Sequence, residues 1–324
     1  MKQKRIMGLA LASLLVLSGC SSTVQDNGKD VAASIDGQNI LADDMYEKLS
    51  STASGQNLLF SYVLDELIKA NFPVTSDMKE NASEIVSNIE TNYRNQYGDQ
   101  ADTQLESALA SAGYKDMEAY EESLVYSLQY SEFLKKYVKD NYDQVFDDYY
   151  TVESPRYVSL IKVSMSDVSN PTDDEKEKLE EVKSLLKTDK SFADIAADYS
   201  DDSTSSAKGN LGIVDSTLEL SNTYGSDVEK QALSLKEGEV SDAIKGSDGY
   251  YFLYCSSTNK DDIKKELQTI DIDSPLLVYD QYMVYLVFNT YELTYGNEDV
   301  EKQIKDLVSE SLKKRDEVRG GQSS

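Results

Sequence analysis

The side chain type that is missing from this sequence narrows the chemistry it can do. The 324-residue chain sets 32 Lys and Arg against 59 Asp and Glu, for a net charge of −27, and contains no histidine. That removes Ser-His-Asp and Cys-His catalysis, histidine metal sites and histidine pH switching together. The acidic balance argues against nucleic acid, which needs clustered Lys and Arg. Two stretches set polar groups beside glycines. Tyr199-Ser-Asp-Asp-Ser-Thr-Ser-Ser-Ala-Lys-Gly-Asn-Leu-Gly-Ile213 offers the carboxylate of Asp202, and Gly249-Tyr-Tyr-Phe-Leu-Tyr254 offers the phenol of Tyr251. Both can hydrogen-bond. The only cysteines are Cys20 and Cys255.

The elements around these groups begin with a positive start, Lys2, Lys4 and Arg5, followed by an apolar run from Ile6 to Leu17. This reads as a secretory signal over residues 1–19, too short to span a membrane. Leu17-Ser18-Gly19-Cys20 resembles the lipobox of bacterial lipoproteins, which implies diacylglycerol transfer to the Cys20 thiol and cleavage before it. The other reading is a plain signal with an incidental cysteine. With Cys20 lipidated, Cys255 would be a lone thiol, packed at the end of a strand and unable to form an internal disulfide. Residues 20–30, small and polar, read as a lipidated tether.

Residues 31–152 read as a helical domain. Two short apolar runs flank the turn Asp36-Gly37, and Asp43, Asp44 and Tyr46 open a helix. Leu59, Tyr62, Val63 and Leu67 repeat at helical spacing until Pro73. Ile85, Ile89 and Tyr93 line a second helix, Leu105 to Ala110 form a third, and Leu124, Leu128 and Tyr137 mark a long fourth. The three tyrosines of Tyr142 to Tyr150 have two readings: packing between helices, or an exposed cradle for unfolded chains.

Residues 155–256 read as one α/β module. It has a strand Tyr157–Val163, a helix opened by the Thr172/Glu175 capping box, a shorter helix through Phe192 and Ile195, and a third from Asp227 to Leu233. Further strands are expected at Leu211–Val214, Val240–Ile244 and Tyr250–Tyr254. With the glycine-rich turn Gly209-Asn-Leu-Gly212 and Leu235-Lys-Glu-Gly-Glu-Val-Ser241, the module resembles the parvulin family of peptidyl-prolyl cis–trans isomerases. The whole chain resembles the parvulin-type foldase lipoproteins of the PrsA family, and its N-terminal part the domain shared by the PrsA and SurA foldases.

The resemblance implies an apolar proline pocket beside a polar cluster of two histidines and an Asp or Cys. In this sequence the first histidine position falls on Leu160 and the last on Tyr251, while the Asp/Cys position falls on Asp202. Asp202 and Tyr251 are therefore the candidate catalytic residues, and Leu160, Leu211, Tyr224, Val228 and Leu233 the candidate substrate-binding ones. Asp202 also reads as a loop residue bound to nearby backbone, and Tyr251 as strand packing. Isomerisation needs no covalent step, only tighter binding of the twisted amide, against a barrier of about 20 kcal/mol. No cofactor or metal is expected.

Residues 257–318 return as helices. Leu276 to Phe288 read as one buried helix behind Ser274-Pro275; Tyr291 to Tyr295 alternate like a strand; and Asn297 opens a last amphipathic helix. Lys313-Lys314-Arg315 read as answering that helix's dipole or touching anionic lipid. Residues 319–324 read as a tail. The expected fold is α+β: a mostly helical chaperone body, closed by the C-terminal helices, with the parvulin-like module inserted as a small antiparallel sheet wrapped by helices. The resemblance implies an extracytoplasmic foldase and chaperone on the outer face of the cytoplasmic membrane of a Gram-positive-type cell, and with both histidine positions replaced its isomerase activity is expected to be weak or lost. Its partners would be unfolded or partly folded exported proteins, with the membrane met through Cys20, and a monomer and a homodimer both open. An active isomerase and a non-catalytic surface lipoprotein, an adhesin or scaffold, are the alternatives.

Overall fold

A computed structural model describes residues 24–322 of the chain. The signal expected over residues 1–19, the expected lipidation site Cys20 and the last two residues lie outside the described part. Two compact units divide within one helix, the first ending at Phe60 and the second starting at Ser61.

The first unit holds strands β1 (Gln25–Asp26), β2 (Lys29–Ile35) and β3 (Gln38–Leu41) in an antiparallel meander, then helix α1 (Ala42–Ser50) and the start of α2 (Ala53–Asn71). Two turns make the meander. Asn27 and Gly28 have φ of 52° and 81°, and Asp36 and Gly37 have 50° and 81°, the paired left-handed geometry that suits a two-residue hairpin. The tether expected over residues 20–30 is thus corrected in part: Gln25 to Asp30 form a hairpin, because Asn-Gly is a stronger local signal than polarity.

The second unit continues with α3 (Ser76–Tyr97), α4 (Ala101–Ser111), α5 (Met117–Asp140) and α6 (Tyr142–Glu153). Thr75 and Asp116 cap α3 and α5 by accepting from the N–H of Met78 at 3.2 Å and Ala119 at 2.9 Å. The buried faces differ from the expected ones. α2 buries Phe60, Leu64, Leu67 and Ile68 and leaves Tyr62 64% exposed, while α3 buries Ala82 and Val86 and leaves Ile85 outside. Apolar residues occupy more than one stripe of α2, so periodicity alone could not choose between them. The tyrosines of α6 are committed to packing. Tyr149 donates to Asp215, Tyr142 to the carbonyl of Lys264, and Tyr150 to that of Thr258 at 2.5 Å. The exposed-cradle reading does not hold for these three.

The module is a four-stranded antiparallel sheet in the order β5-β4-β7-β6. It comprises β4 (Arg156–Ser164), α7 (Asp173–Leu185), α8 (Phe192–Tyr199), β5 (Asn210–Val214), α9 (Ser221–Tyr224), α10 (Ser226–Ala232), β6 (Ile244–Lys245) and β7 (Gly249–Ser257). The strand expected at Val240–Ile244 is reduced to β6 and a single bridge from Val240 to Tyr254. Period-two alternation divides the core into two faces. Val158, Leu160, Tyr251 and Leu253 pack with α10, whereas Ile161, Val163 and Phe252 pack with α7 and α8.

The capping box of α7 forms as expected. Glu175 accepts from the N–H of Ser166 at 2.6 Å and of Thr172 at 2.7 Å, and these donors, Ser166 first, hold its carboxyl down to about 2. A depressed folded-state value gives stability that is present above the usual carboxylate range and lost as pH falls toward about 2. Glu175→Gln should therefore flatten the pH dependence of stability between pH 4.5 and 2, read by urea unfolding at several pH values. An unchanged slope would assign the acid sensitivity to other carboxylates.

Helices α11 (Lys260–Glu266), α12 (Met283–Phe288) and α13 (Glu298–Gln322) follow. Both α12 and the 3-10 turn Pro275–Leu277 pack on α5, and α13 packs on α12. Three expectations are corrected here. The apolar run Leu276–Phe288 breaks at Asp280, whose carboxylate accepts from the N–H of Tyr282 at 2.9 Å and from Arg315 Nε at 2.6 Å. Tyr291 to Tyr295 form no strand. Residues 319–322, expected in the tail, are the last turn of α13, where Arg319 pairs with Asp148 and Asp280. Arg315 thus turns inward to carboxylates rather than toward a lipid surface.

Candidate functional site

Strands β4 and β7 place the site. Their register sets Leu160 opposite Leu253 and Lys162 opposite Tyr251, so all four side chains share the face covered by α10. Leu160 and Val228 are buried in the centre of that face, with Leu211, Tyr224 and Leu233 packed against it at the rim. The five expected substrate-binding residues and Tyr251 therefore belong to one apolar cluster. They divide by depth: Leu160 and Val228 are floor, and only Leu211, Tyr224 and Leu233 keep surface that a ligand could touch.

The polar groups lie along one side. Tyr224, at the end of α9, meets the Tyr251 ring edge-to-face at 5.9 Å. Its hydroxyl reaches Asp202 Oδ1 at 3.5 Å, the outer limit of a hydrogen bond. Asp202 is mainly occupied with its own loop: Oδ1 accepts from the Thr204 N–H at 2.9 Å and the Thr204 hydroxyl at 2.7 Å, capping the short turn Ser203–Ala207. Ser200 Oγ accepts from the N–H groups of Lys162 at 3.1 Å and Asp202 at 3.3 Å, which ties that loop to β4. Burial, then Asp202, raises the Tyr224 phenol.

Tyr251 does not reach Asp202. Its hydroxyl donates to Asp248 Oδ1 at 2.6 Å, and Asp248 Oδ2 accepts from Lys162 Nζ at 2.5 Å. That ammonium also lies 5.7 Å from the centre of the Tyr251 ring. Lys162 and then Tyr251 hold the Asp248 carboxyl below its ordinary range, while burial, then Asp248, raises the Tyr251 phenol. Gly246 makes room for this ring, since a Cβ there would come within 2.5 Å of it. Sequence reasoning missed Asp248 and Lys162. Lys162 was legible as the next residue after Leu160 on the same strand face, but Asp248 sits on a turn whose path periodicity does not fix.

Chemically, the face offers an apolar surface, the weakly held hydroxyl of Tyr224, and a phenol whose O–H is already engaged in a hydrogen bond to a carboxylate. Cys255 is buried beneath, its thiol pushed up by burial. Among the described residues no cluster of Cys, Asp and Glu could hold a metal, and no helix is long and apolar enough to cross a membrane.

Comparison with known proteins matches residues 160–257 to the family described as Rotamase, PPIC-type PPIASE domain. The foldase protein PrsA of Bacillus subtilis (strain 168) is 28% identical over 278 residues, covering 85% of this chain and 84% of the relative. That of Staphylococcus aureus (strain MRSA252) is 28% identical over 216 residues, covering 64% of this chain and 65% of the relative. Among solved structures, PrsA from Bacillus subtilis aligns at 23% identity and a TM-score of 0.37, covering 86% of this chain and 98% of that one. The foldase protein PrsA from Streptococcus pneumoniae aligns at 21% identity and a TM-score of 0.41, covering 85% and 98%.

Proposed function

We propose that this chain, a PrsA homologue with a parvulin-type domain at residues 160–257, is an extracytoplasmic foldase that holds extended polypeptide and catalyses proline isomerisation weakly or not at all. Anchoring through a lipid on Cys20, at the outer face of the cytoplasmic membrane, is part of the same reading. The weak-catalysis clause is supported by Leu160 and Tyr251, which the resemblance sets at the family's histidine positions: the first is fully buried and the second is hydrogen-bonded to Asp248. A twisted amide bound at the rim would meet apolar side chains and one weakly held hydroxyl, that of Tyr224, too few donors to lower a barrier of about 20 kcal/mol by much. The apolar cluster supports the holding role, since a groove can lose its polar catalysts and stay apolar.

Two assays on the chain lacking residues 1–19 test the reading. Several-fold molar excess should suppress aggregation of an unfolded client, while a proline-limited refolding substrate should recover at its uncatalysed rate. No protection of the client removes the chaperone claim. The Tyr224–Asp202 contact favours the other reading, an active isomerase; acceleration that is lost in Asp202→Ala and Tyr251→Phe would establish it. In the full-length chain, Cys20→Ser should move the protein from the membrane to the soluble fraction, and retention on the membrane would reject the lipid anchor.

A further inference from the structure

The helical body carries an apolar surface that shares no residue with the parvulin face. Between the end of α2, the Val74 loop, the first turn of α3 and the N-terminal half of α5 lies an open trench of about 450 Å³, within the size range of ligand sites. One wall is a single stripe of α5: Glu118, Glu121, Glu122, Val125, Tyr126 and Gln129. Their spacing of i, i+3, i+4, i+7, i+8 and i+11 is that of a helix face built to meet something.

The C-terminal end of the stripe is fixed. Tyr126 donates its hydroxyl to Asp65, and the buried Gln129 donates to the carbonyl of Phe72 at 2.6 Å. The floor is therefore preformed, and its apolar part is open: Val125 is half-buried and Val74 is 43% exposed. The N-terminal end is three carboxylates, none in an ion pair among the described residues. Lys69 and Lys79 line the opposite side; Lys69 pairs with Glu66 at 3.1 Å, which leaves three carboxylates in excess over Lys79. The trench thus has an apolar floor and an acidic wall.

We infer that this trench binds extended polypeptide in which a bulky apolar residue stands beside Lys or Arg. The apolar side chain covers Val74 and Val125, and the cation faces Glu118, Glu121 and Glu122. The inference rests on the foldase reading, and it names the client segments that the helical body, as distinct from the parvulin face, selects.

Fluorescent ten-residue peptides test it by anisotropy on the chain lacking residues 1–19. One alternates Leu and Phe with Lys, and its counterpart carries Glu in place of Lys. The cationic peptide should bind and the anionic one should not. Glu121→Lys with Glu122→Lys should weaken binding about tenfold, as should raising the salt from 0.05 to about 0.5 M. Val74→Ser, at an exposed loop position that leaves the core intact, should weaken it about threefold. Equal binding of both peptides, or unchanged affinity in the charge-reversed chain, overturns the inference. A change of association state in light scattering, with peptide affinity unaltered, overturns it too and assigns the trench to a second copy. The client assay separates the two readings. If the charge-reversed chain protects the client and binds the cationic peptide as before, the trench proposal falls and the foldase reading stands. If the unaltered chain gives no protection, the foldase reading falls, whatever the peptides do.

Discussion

Asp280→Ala is expected to cost about 3 kcal/mol and to loosen α13 from the helical body. Asp280 is buried, and its carboxylate accepts from Arg315 Nε at 2.6 Å and Arg319 Nη2 at 3.0 Å. Asp148 takes the remaining reach of both guanidiniums, with Arg315 Nη2 at 2.7 Å, and Tyr279 donates to it at 2.8 Å. Removing one member of a buried ion network leaves the others desolvated without their partner, which typically costs about 3–5 kcal/mol. The lower end applies because Asp148 still serves both arginines. Amide exchange along α13 should speed up far more than exchange in the module sheet, since local opening follows the lost contacts. Asp280→Leu combined with Arg315→Leu should recover part of the loss, because apolar replacement of a buried pair is often neutral. If α13 exchanges as slowly in Asp280→Ala as in the parent chain, packing on α12 rather than the ion network is what holds it.

The same network links the C-terminal helix to the module. Tyr279 meets Tyr149 edge-to-face at 5.4 Å, and Tyr149 donates to the buried Asp215. Asp215 in turn caps the turn Ser216–Leu218 with the N–H of Thr217 at 2.8 Å, on the segment that leads to Tyr224. A run of contacts therefore joins α13 to the segment that leads to one rim of the candidate site.

What could be read from the sequence was what is local. The Thr172/Glu175 box and the Asp36-Gly37 turn depend on residues within a few positions of one another, so spacing was enough. The strands that became β4 and β7 were legible for the same reason, but that Leu160 and Tyr251 share one face follows from their register. Convergence of Tyr224, Val228 and Leu233 on that face came from the family resemblance, because helical period alone does not say which sheet a short helix covers. The rest depended on distant partners. Asp280 reads as a flaw in an apolar run until Arg315 and Arg319 are brought to it, and Arg319 reads as tail until Asp148 is. Asp248 beside Tyr251 was hidden in the same way: a turn residue whose partner, Lys162, lies on another strand.

Gly209→Ala should be the most damaging small change in the candidate site, at about 3 kcal/mol. Gly209 has φ of +77°, and an added Cβ would come 2.3 Å from the carbonyl oxygen of Leu160 and 3.0 Å from Ala196 Cβ. Left-handed backbone alone costs an L residue about 1–2 kcal/mol. The clash adds to this because its target is strand backbone, which can yield only by parting β4 from β5. That would stretch the bond from the Leu160 N–H to the Gly209 carbonyl, now 2.8 Å, and the bond from the Gly209 N–H to Thr204 that closes the Asp202 turn, also 2.8 Å. Gly212 is the internal control: its φ is +78°, but an added Cβ meets nothing within 4 Å. Gly212→Ala should therefore cost only the conformational part, about 1 kcal/mol. Urea unfolding of the two variants measures the difference, which isolates the close approach from the backbone angle. Equal losses would mean that the β4–β5 junction gives way freely, and that Asp202 is not held in register with Leu160 by this glycine.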